Sequence, residues 1–203
     1  MGLTRYIASQ LGQPRGPVGL IATAVMNRQN RVMYDETERQ LSIKEGDHVL
    51  DIGFGNGFML NALAKRYHCA FYGIDISEDM VKAASHRNRD IIEAGRLSLS
   101  SQNINSTRFT DSFFEKAYTM NTMYFWDDPR IVLSEIHRIL KSNGVFVNAF
   151  YTNETLDRFS HTRYGFRRYQ IELLLKIGGE VGFSVEMIPF RQGTAYCMVC
   201  RKR

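Results

Sequence analysis

From residue 48 onward the chain alternates short apolar runs with segments of helical periodicity, and few folds accommodate that rhythm. His48–Ile52, Ala70–Asp75, Leu97–Ser101, Lys116–Asn121 and Val145–Phe150 have strand character. Several are apolar on both faces, as strands buried in a parallel sheet are. Helix signals separate them. Ser77 precedes Glu78, Asp79 and Met80 as an N-cap, and Asp128 caps a segment with Pro129 at its first position. That second segment carries Ile131, Leu133, Ile136 and Leu140 at helical spacing and is expected to stop at Asn143-Gly144. Repeated strand, helix, strand units with short links specify an α/β fold with a doubly wound parallel sheet.

The tail breaks the rhythm. A helix from about Tyr169 ends near Gly178-Gly179 and Gly182, and two strand-like runs follow, Phe183–Pro189 and Ala195–Arg201. The link between them, Phe190–Thr194, is shorter than the dozen or so residues a parallel crossover needs. A mostly parallel, seven-stranded sheet ending in an antiparallel hairpin is therefore expected. Residues 1–45 show no strand. Val18, Ile21, Ala22 and Val25, then Val32, Tyr34 and Leu41, predict one or two amphipathic helices forming a lid over one end of the sheet. The chain has 203 residues, which at roughly 150 per domain is one domain with an appendage: a helical lid over 1–45 and a core over 46–203.

Charge and cysteines narrow the setting. Lys and Arg number 26 against 21 Asp and Glu, a formal charge of +5, which permits an acidic substrate without requiring one. The apolar run Pro17–Met26 is short of the ~20 residues of a membrane span, so no span is expected. Cys69, Cys197 and Cys200 are odd in number and suit a reducing cytoplasm. Cys197 and Cys200 spell CxxC, but on a strand residues three apart face opposite ways, so the sulfurs should diverge rather than converge on a metal. No metal site is expected.

The most informative stretch is Val49-Leu50-Asp51-Ile52-Gly53-Phe54-Gly55-Asn56-Gly57, a buried strand entering a glycine turn and then a helix. Glycines allow a tight turn and let a ligand approach the main chain. Asp51 ends the first strand and Asp75 the second, where an acid can accept both hydroxyls of a ribose. A dinucleotide fits poorly. Phe58 occupies the place of the third glycine of G-x-G-x-x-G, and the charge of Asp51 would repel a pyrophosphate. A ligand with a cationic amino acid end and an adenosine end suits the pair, and S-adenosylmethionine is such a molecule.

With VLDIGFGNG, GIDIS and EIHRILKSNGVFV in place, the sequence resembles the class I, Rossmann-like, S-adenosylmethionine-dependent methyltransferases, closest to the small-molecule group with a methyltransferase type 11 core. The resemblance implies that Asp51 and the turn Gly53, Phe54, Gly55 and Gly57 hold the methionine part of the cofactor. It implies Asp75 for the ribose, with Ile76 and Met80 on the adenine. Gln102-Asn103-Ile104 lies where relatives contact the adenine amine, so Asn103 and Ile104 take that place. Met120 and Asn121 would line the sulfonium side.

The acceptor side is expected among the aromatics of Asn121-Thr122-Met123-Tyr124-Phe125-Trp126 and in a small cap near 152–168, where Arg158, Phe159, His161, Arg163, Tyr164, Phe166, Arg167 and Arg168 cluster. Tyr124 and His161 are the catalytic candidates, and Tyr34, Asn121, Trp126 and Tyr164 the acceptor-binding ones. The basic, aromatic cap suggests a small-molecule acceptor that is anionic or aromatic. Two other readings stand beside this: an N-methyltransferase of nucleic acid, and a non-catalytic protein that binds the same cofactor. A nicotinamide dehydrogenase ranks last.

Overall fold

In a computed structural model, residues 30–203 are described. The strands are β1 (His48–Ile52), β2 (Ala70–Asp75), β3 (Leu97–Ser101), β4 (Phe114–Met120), β5 (Leu140–Tyr151), β6 (Phe183–Phe190) and β7 (Ala195–Lys202). They form one sheet in the order β3-β2-β1-β4-β5-β7-β6. All pairings are parallel except those of β7 with β5 and β6. The chain thus reverses its direction of travel across the sheet between β1 and β4, and that switch point opens a crevice at the carboxyl ends of the strands.

Helices cover both faces. On one lie α1 (Arg31–Leu41), α2 (Phe58–Arg66), α3 (Glu78–Arg87) and the short α4 (Arg89–Glu93). Their Met33, Leu41, Leu60, Leu63, Met80, Ala84 and Ile91 share a core with Val49, Phe71, Tyr118, Val147 and Cys197 of the sheet. On the other face α5 (Pro129–Ile139) and α7 (Ile171–Val181) pack with Leu50, Phe146, Met198 and Cys200, and the short α6 (Asn153–Asp157) begins the cap. Cys197 and Cys200 do enter opposite cores, and all three cysteines are free. The start signals act as anticipated. Ser77 Oγ accepts from the Met80 N–H, and Asp128 accepts from the Arg130 N–H with Pro129 at the first position.

Three expectations shift. Helix α5 ends at Ile139, not at Asn143-Gly144: Leu140 is extended and pairs with Phe114 as the first residue of β5. A bulge follows, with Asn143 at φ 63°. Leu140 is better buried in the sheet than on a further helical turn, and Ile131, 49% exposed, is not on the packed face, which is formed by Val132, Leu133, Ile136 and Ile139. The fourth strand likewise begins two residues early, at Phe114. Helix α1 packs through Met33, Thr37 and Leu41, with Val32 exposed, and lies across the face of β4, β5 and β7 rather than over one end. The helix expected around Val18–Val25 falls outside the described residues. No described helix is long and apolar enough to cross a membrane.

Candidate functional site

The turn between β1 and α2 is shaped by glycines at φ 75°, 57° and 70°, Gly53, Gly55 and Gly57. Two of them leave no room for a side chain. A Cβ on Gly53 would lie 2.5 Å from Thr122 Cγ2, where the loop after β4 closes on the turn. On Gly57 it would meet Ala84 Cβ at 2.8 Å, so this glycine lets α2 start hard against α3. Thr119 Oγ1 donates to the Ile52 carbonyl at 2.6 Å and ties β4 to the same corner.

Two buried carboxylates stand at this corner. Asp75 Oδ2 accepts from the Gly55 N–H at 3.0 Å, and its Oδ1 accepts from the Ser77 N–H at 2.9 Å. Burial raises the Asp75 pKa, and those backbone donors hold the rise in check. Asp51 is only 2% exposed, and its Oδ2 accepts from the Tyr118 hydroxyl at 2.7 Å. Burial pushes the Asp51 pKa up to about 8, the Tyr118 hydrogen bond opposes the rise, and the charge of Asp75 adds to it. Tyr34, on α1, is partly buried, and that burial, with the charges of Asp51 and Tyr151, pushes its ionisation far upward; it is a neutral phenol.

Around this corner lies a cavity of about 370 Å³, within the size range of small-ligand sites. Asp51, Gly53, Phe54, Gly55, Asp75, Ile76, Asn103, Ile104 and Met120 all line it, as do Tyr34, Asn121 and Trp126. Gly57 and Met80 do not. Gly57 acts on helix packing, and Met80 is fully buried beneath the wall. The Asn103 side-chain oxygen accepts from the Asn105 N–H at 2.9 Å, which fixes the amide orientation.

Three acceptor-side candidates also lie away from the cavity. Tyr124 is 2% exposed, its hydroxyl accepts from the Tyr151 N–H at 2.6 Å, and its ring stacks on Phe166 at 5.4 Å. It fastens the cap to β5, and its neighbour Phe125 faces the cavity instead. His161 sits in a single helical turn between Phe159 and Phe166, where burial lowers its pKa. Tyr164 is 46% exposed. The cap arginines also stay out of the lining: Arg167 pairs with Asp127, and Arg168 pairs with Asp157 at 3.3 Å. Among the described residues the wall contains Asp51, Asp75 and Asp127 and no Lys, Arg or His. Asn30 and Phe58 join the wall without having been assigned to the site from the sequence, and Thr122 and Phe125 line it from the aromatic segment expected on the acceptor side. The signal for Phe58 was its place where a dinucleotide fold has glycine, and its ring lies 5.7 Å from that of Tyr34.

A doubly wound sheet with a glycine turn and strand-end carboxylates at its switch point defines a Rossmann-like protein for a ribose-bearing ligand. Residues 50–148 match the family model described as a methyltransferase domain. The uncharacterized methyltransferase YdaC of Bacillus subtilis is 31% identical over 126 residues, covering 62% of this chain and 67% of YdaC. An O-methyltransferase of Aspergillus sclerotiorum is 29% identical over 109 residues, 54% of this chain and 41% of that enzyme, so the chain spans about two fifths of the fungal relative. In fold, the geranyl diphosphate C-methyltransferase from Streptomyces coelicolor, solved with S-adenosyl-L-homocysteine, superposes at a TM-score of 0.74 with 13% identity, over 96% of this chain and 87% of that one. The chain belongs to the class I S-adenosylmethionine-dependent methyltransferases, and S-adenosylmethionine is its cofactor.

Proposed function

We propose that the protein transfers a methyl group to an uncharged, aromatic small molecule bound between Tyr34, Phe125 and Trp126. The observation that carries this reading is the composition of the wall: several aromatic side chains, three carboxylates and, among the described residues, no basic group. An anionic acceptor, which the basic cap suggested, would meet repulsion there, and the cap's Arg167 and Arg168 are engaged elsewhere. Residues 152–168 serve in this reading as the cap.

The residues present fit the cofactor. Gly53 keeps a cradle that a Cβ would fill, Asp75 has accepting capacity left on both oxygens for a ribose, and Asp51 offers a carboxylate to an ammonium. Ile76, Asn103 and Ile104 form the adenine wall. When bound, the cofactor supplies a methyl group already activated by a positive sulfur. The protein's task is then to orient, and orientation can lower a barrier by roughly 7 to 11 kcal/mol. Met120 and Asn121, at the carboxyl end of β4, stand where the acceptor and the cofactor would meet, and the aromatic rings exclude water and favour the cationic sulfur. Tyr34, held neutral, can donate a hydrogen bond to an acceptor oxygen or nitrogen.

The test is transfer of radiolabel from S-adenosylmethionine to a panel of phenols, heteroaromatic amines, aliphatic acids and phosphorylated isoprenoids. Labelling of neutral aromatics with none of the anions supports the assignment. Preferential labelling of the acids or phosphates overturns it.

A further inference from the structure

Strand β4 contributes a group that lies outside the glycine-turn motif. In the parallel register of β1 and β4, Tyr118 stands directly beside Asp51, so the two side chains share a face of the sheet. The Tyr118 hydroxyl donates to Asp51 Oδ2 at 2.7 Å. Tyr118 is fully buried and does not line the cavity, whereas Asp51 does. The phenol therefore reaches the carboxylate from the protein side and leaves its other side to the cavity.

Among the described residues, the remaining titratable groups that act on Asp51 are Asp75, from the end of β2, and Tyr34, from α1. Neither is a cation. A carboxyl so buried, beside a second acid, holds its proton unless a donor or a cation favours the charged form. Tyr118 is such a donor. Burial and the charge of Asp51 push its own ionisation well up, so it keeps its proton while donating.

We propose that Tyr118 is a positioning residue for the cofactor: its phenol fixes Asp51 Oδ2 and favours the ionised carboxylate that meets the ammonium of S-adenosylmethionine. The proposal rests on the assignment of Asp51 to the cofactor's amino acid end. Proton balance follows directly. Below the pH at which Asp51 ionises in the free protein, cofactor uptake sends one proton from the Asp51 carboxyl to the buffer, and Tyr118 neither gains nor loses one. Without the phenol, the same uptake must ionise a weaker acid, so affinity relative to wild type falls at neutral pH and recovers at higher pH, the cofactor's own ammonium titrating equally in both.

The experiment is calorimetric titration of S-adenosylmethionine into the wild-type protein, Tyr118→Phe and Asp51→Asn between pH 6 and 9, in two buffers of different ionisation enthalpy. Phenylalanine keeps the ring and its packing. Tyr118→Phe is expected to bind about tenfold more weakly at pH 7, to approach wild type by pH 9, and to shift the pH midpoint of affinity upward by about one unit, one unit being tenfold. Asp51→Asn should bind weakly at every pH and release no proton. Superimposable pH profiles for wild type and Tyr118→Phe, or a uniform loss with no shift, overturn the role of Tyr118 while leaving Asp51 in place. Wild-type affinity in Asp51→Asn removes the underlying assignment instead. Should Tyr118→Phe not fold, a 3-fluorotyrosine placed at position 118, a stronger donor of nearly the same shape, decides: the pH midpoint of affinity should move downward, and an unchanged midpoint overturns the proposal.

Discussion

Both oxygens of Asp75 accept a main-chain N–H, one from the glycine turn and one from the loop after β2. The carboxylate therefore braces the site as well as serving it, and a change there has two costs. In Asp75→Asn one oxygen becomes an NH2 group facing an N–H donor, so the brace fails along with an acceptor for the ribose. Calorimetry should show at least a tenfold loss of affinity for S-adenosylmethionine, and the melting temperature should drop by an amount matching ~1 to 3 kcal/mol for a buried donor left unpaired. Unchanged affinity would remove Asp75 from the cofactor site. Gly53 separates strain from collision. Gly53→Ala combines a positive φ of 75° with a 2.5 Å approach to Thr122 Cγ2. Adding Thr122→Ser deletes that methyl and should restore part of the stability lost, leaving about 1 kcal/mol from the backbone conformation. Full restoration by the double variant, measured by urea unfolding, would show that the backbone is not strained. The two acids were legible because the carboxyl ends of neighbouring parallel strands, one running into a glycine turn and one into a helix N-cap, are fixed points of the fold. Tyr124 was not, because within the single helical turn Met123–Phe125 a shift of one residue decides which ring faces the cavity and which is buried.

At the level of elements, the alternating pattern revealed seven strands and the terminal hairpin because each signal is local: periodicity, an N-cap, a loop too short to cross over. Boundaries set by tertiary contacts were hidden. Leu140 continues the apolar spacing of α5, but its burial comes from β4, where it pairs with Phe114, and no local preference reports that partner. The join of α7 to β6 is a similar case. Gly178 lies inside α7, where propensity alone would favour alanine, yet a Cβ there would come within 2.5 Å of Val185 Cγ2. Gly178→Ala should therefore destabilise by roughly 1 to 3 kcal/mol through overpacking despite the gain in helix propensity. Val185→Ala in the same chain should recover much of the loss. Stabilisation of the single variant in a thermal melt would mean that the helix and hairpin separate without cost.

For the molecule as a whole, the net charge was legible and its placement was not. The basic cap suggested a positive mouth, whereas the described cavity wall is acidic, and that acidity makes stability depend on pH. The carboxyl of Asp51 ionises at about 8 in the folded protein against an ordinary value of 3.8, and Asp75 is raised in the same direction. Between those limits the folded state holds protons that the unfolded chain has lost, so stability falls as pH rises. The contribution of Asp51 is fully present below about pH 4 and gone above about 8. His137 and His161 act oppositely: burial lowers both, so their share is present above the ordinary histidine range, near pH 6.5, and lost on acidification through it. Glu115 and Glu135, lowered by Lys141 and Arg138, lose theirs only in stronger acid. Above pH 6.5 Asp51 contributes a slope of its own, downward as pH rises. The melting temperature of the cofactor-free protein should therefore decline by several degrees from pH 6.5 to 8.5, at ~2 to 4 °C per kcal/mol for a chain of this size. The stabilisation produced by saturating S-adenosylmethionine should grow over the same interval, because the ammonium favours the form that folding alone disfavours. Asp51→Asn removes the carboxyl responsible and should flatten both trends. A wild-type melting curve level across this range, or an equal slope in Asp51→Asn, would place the pH response elsewhere in the molecule.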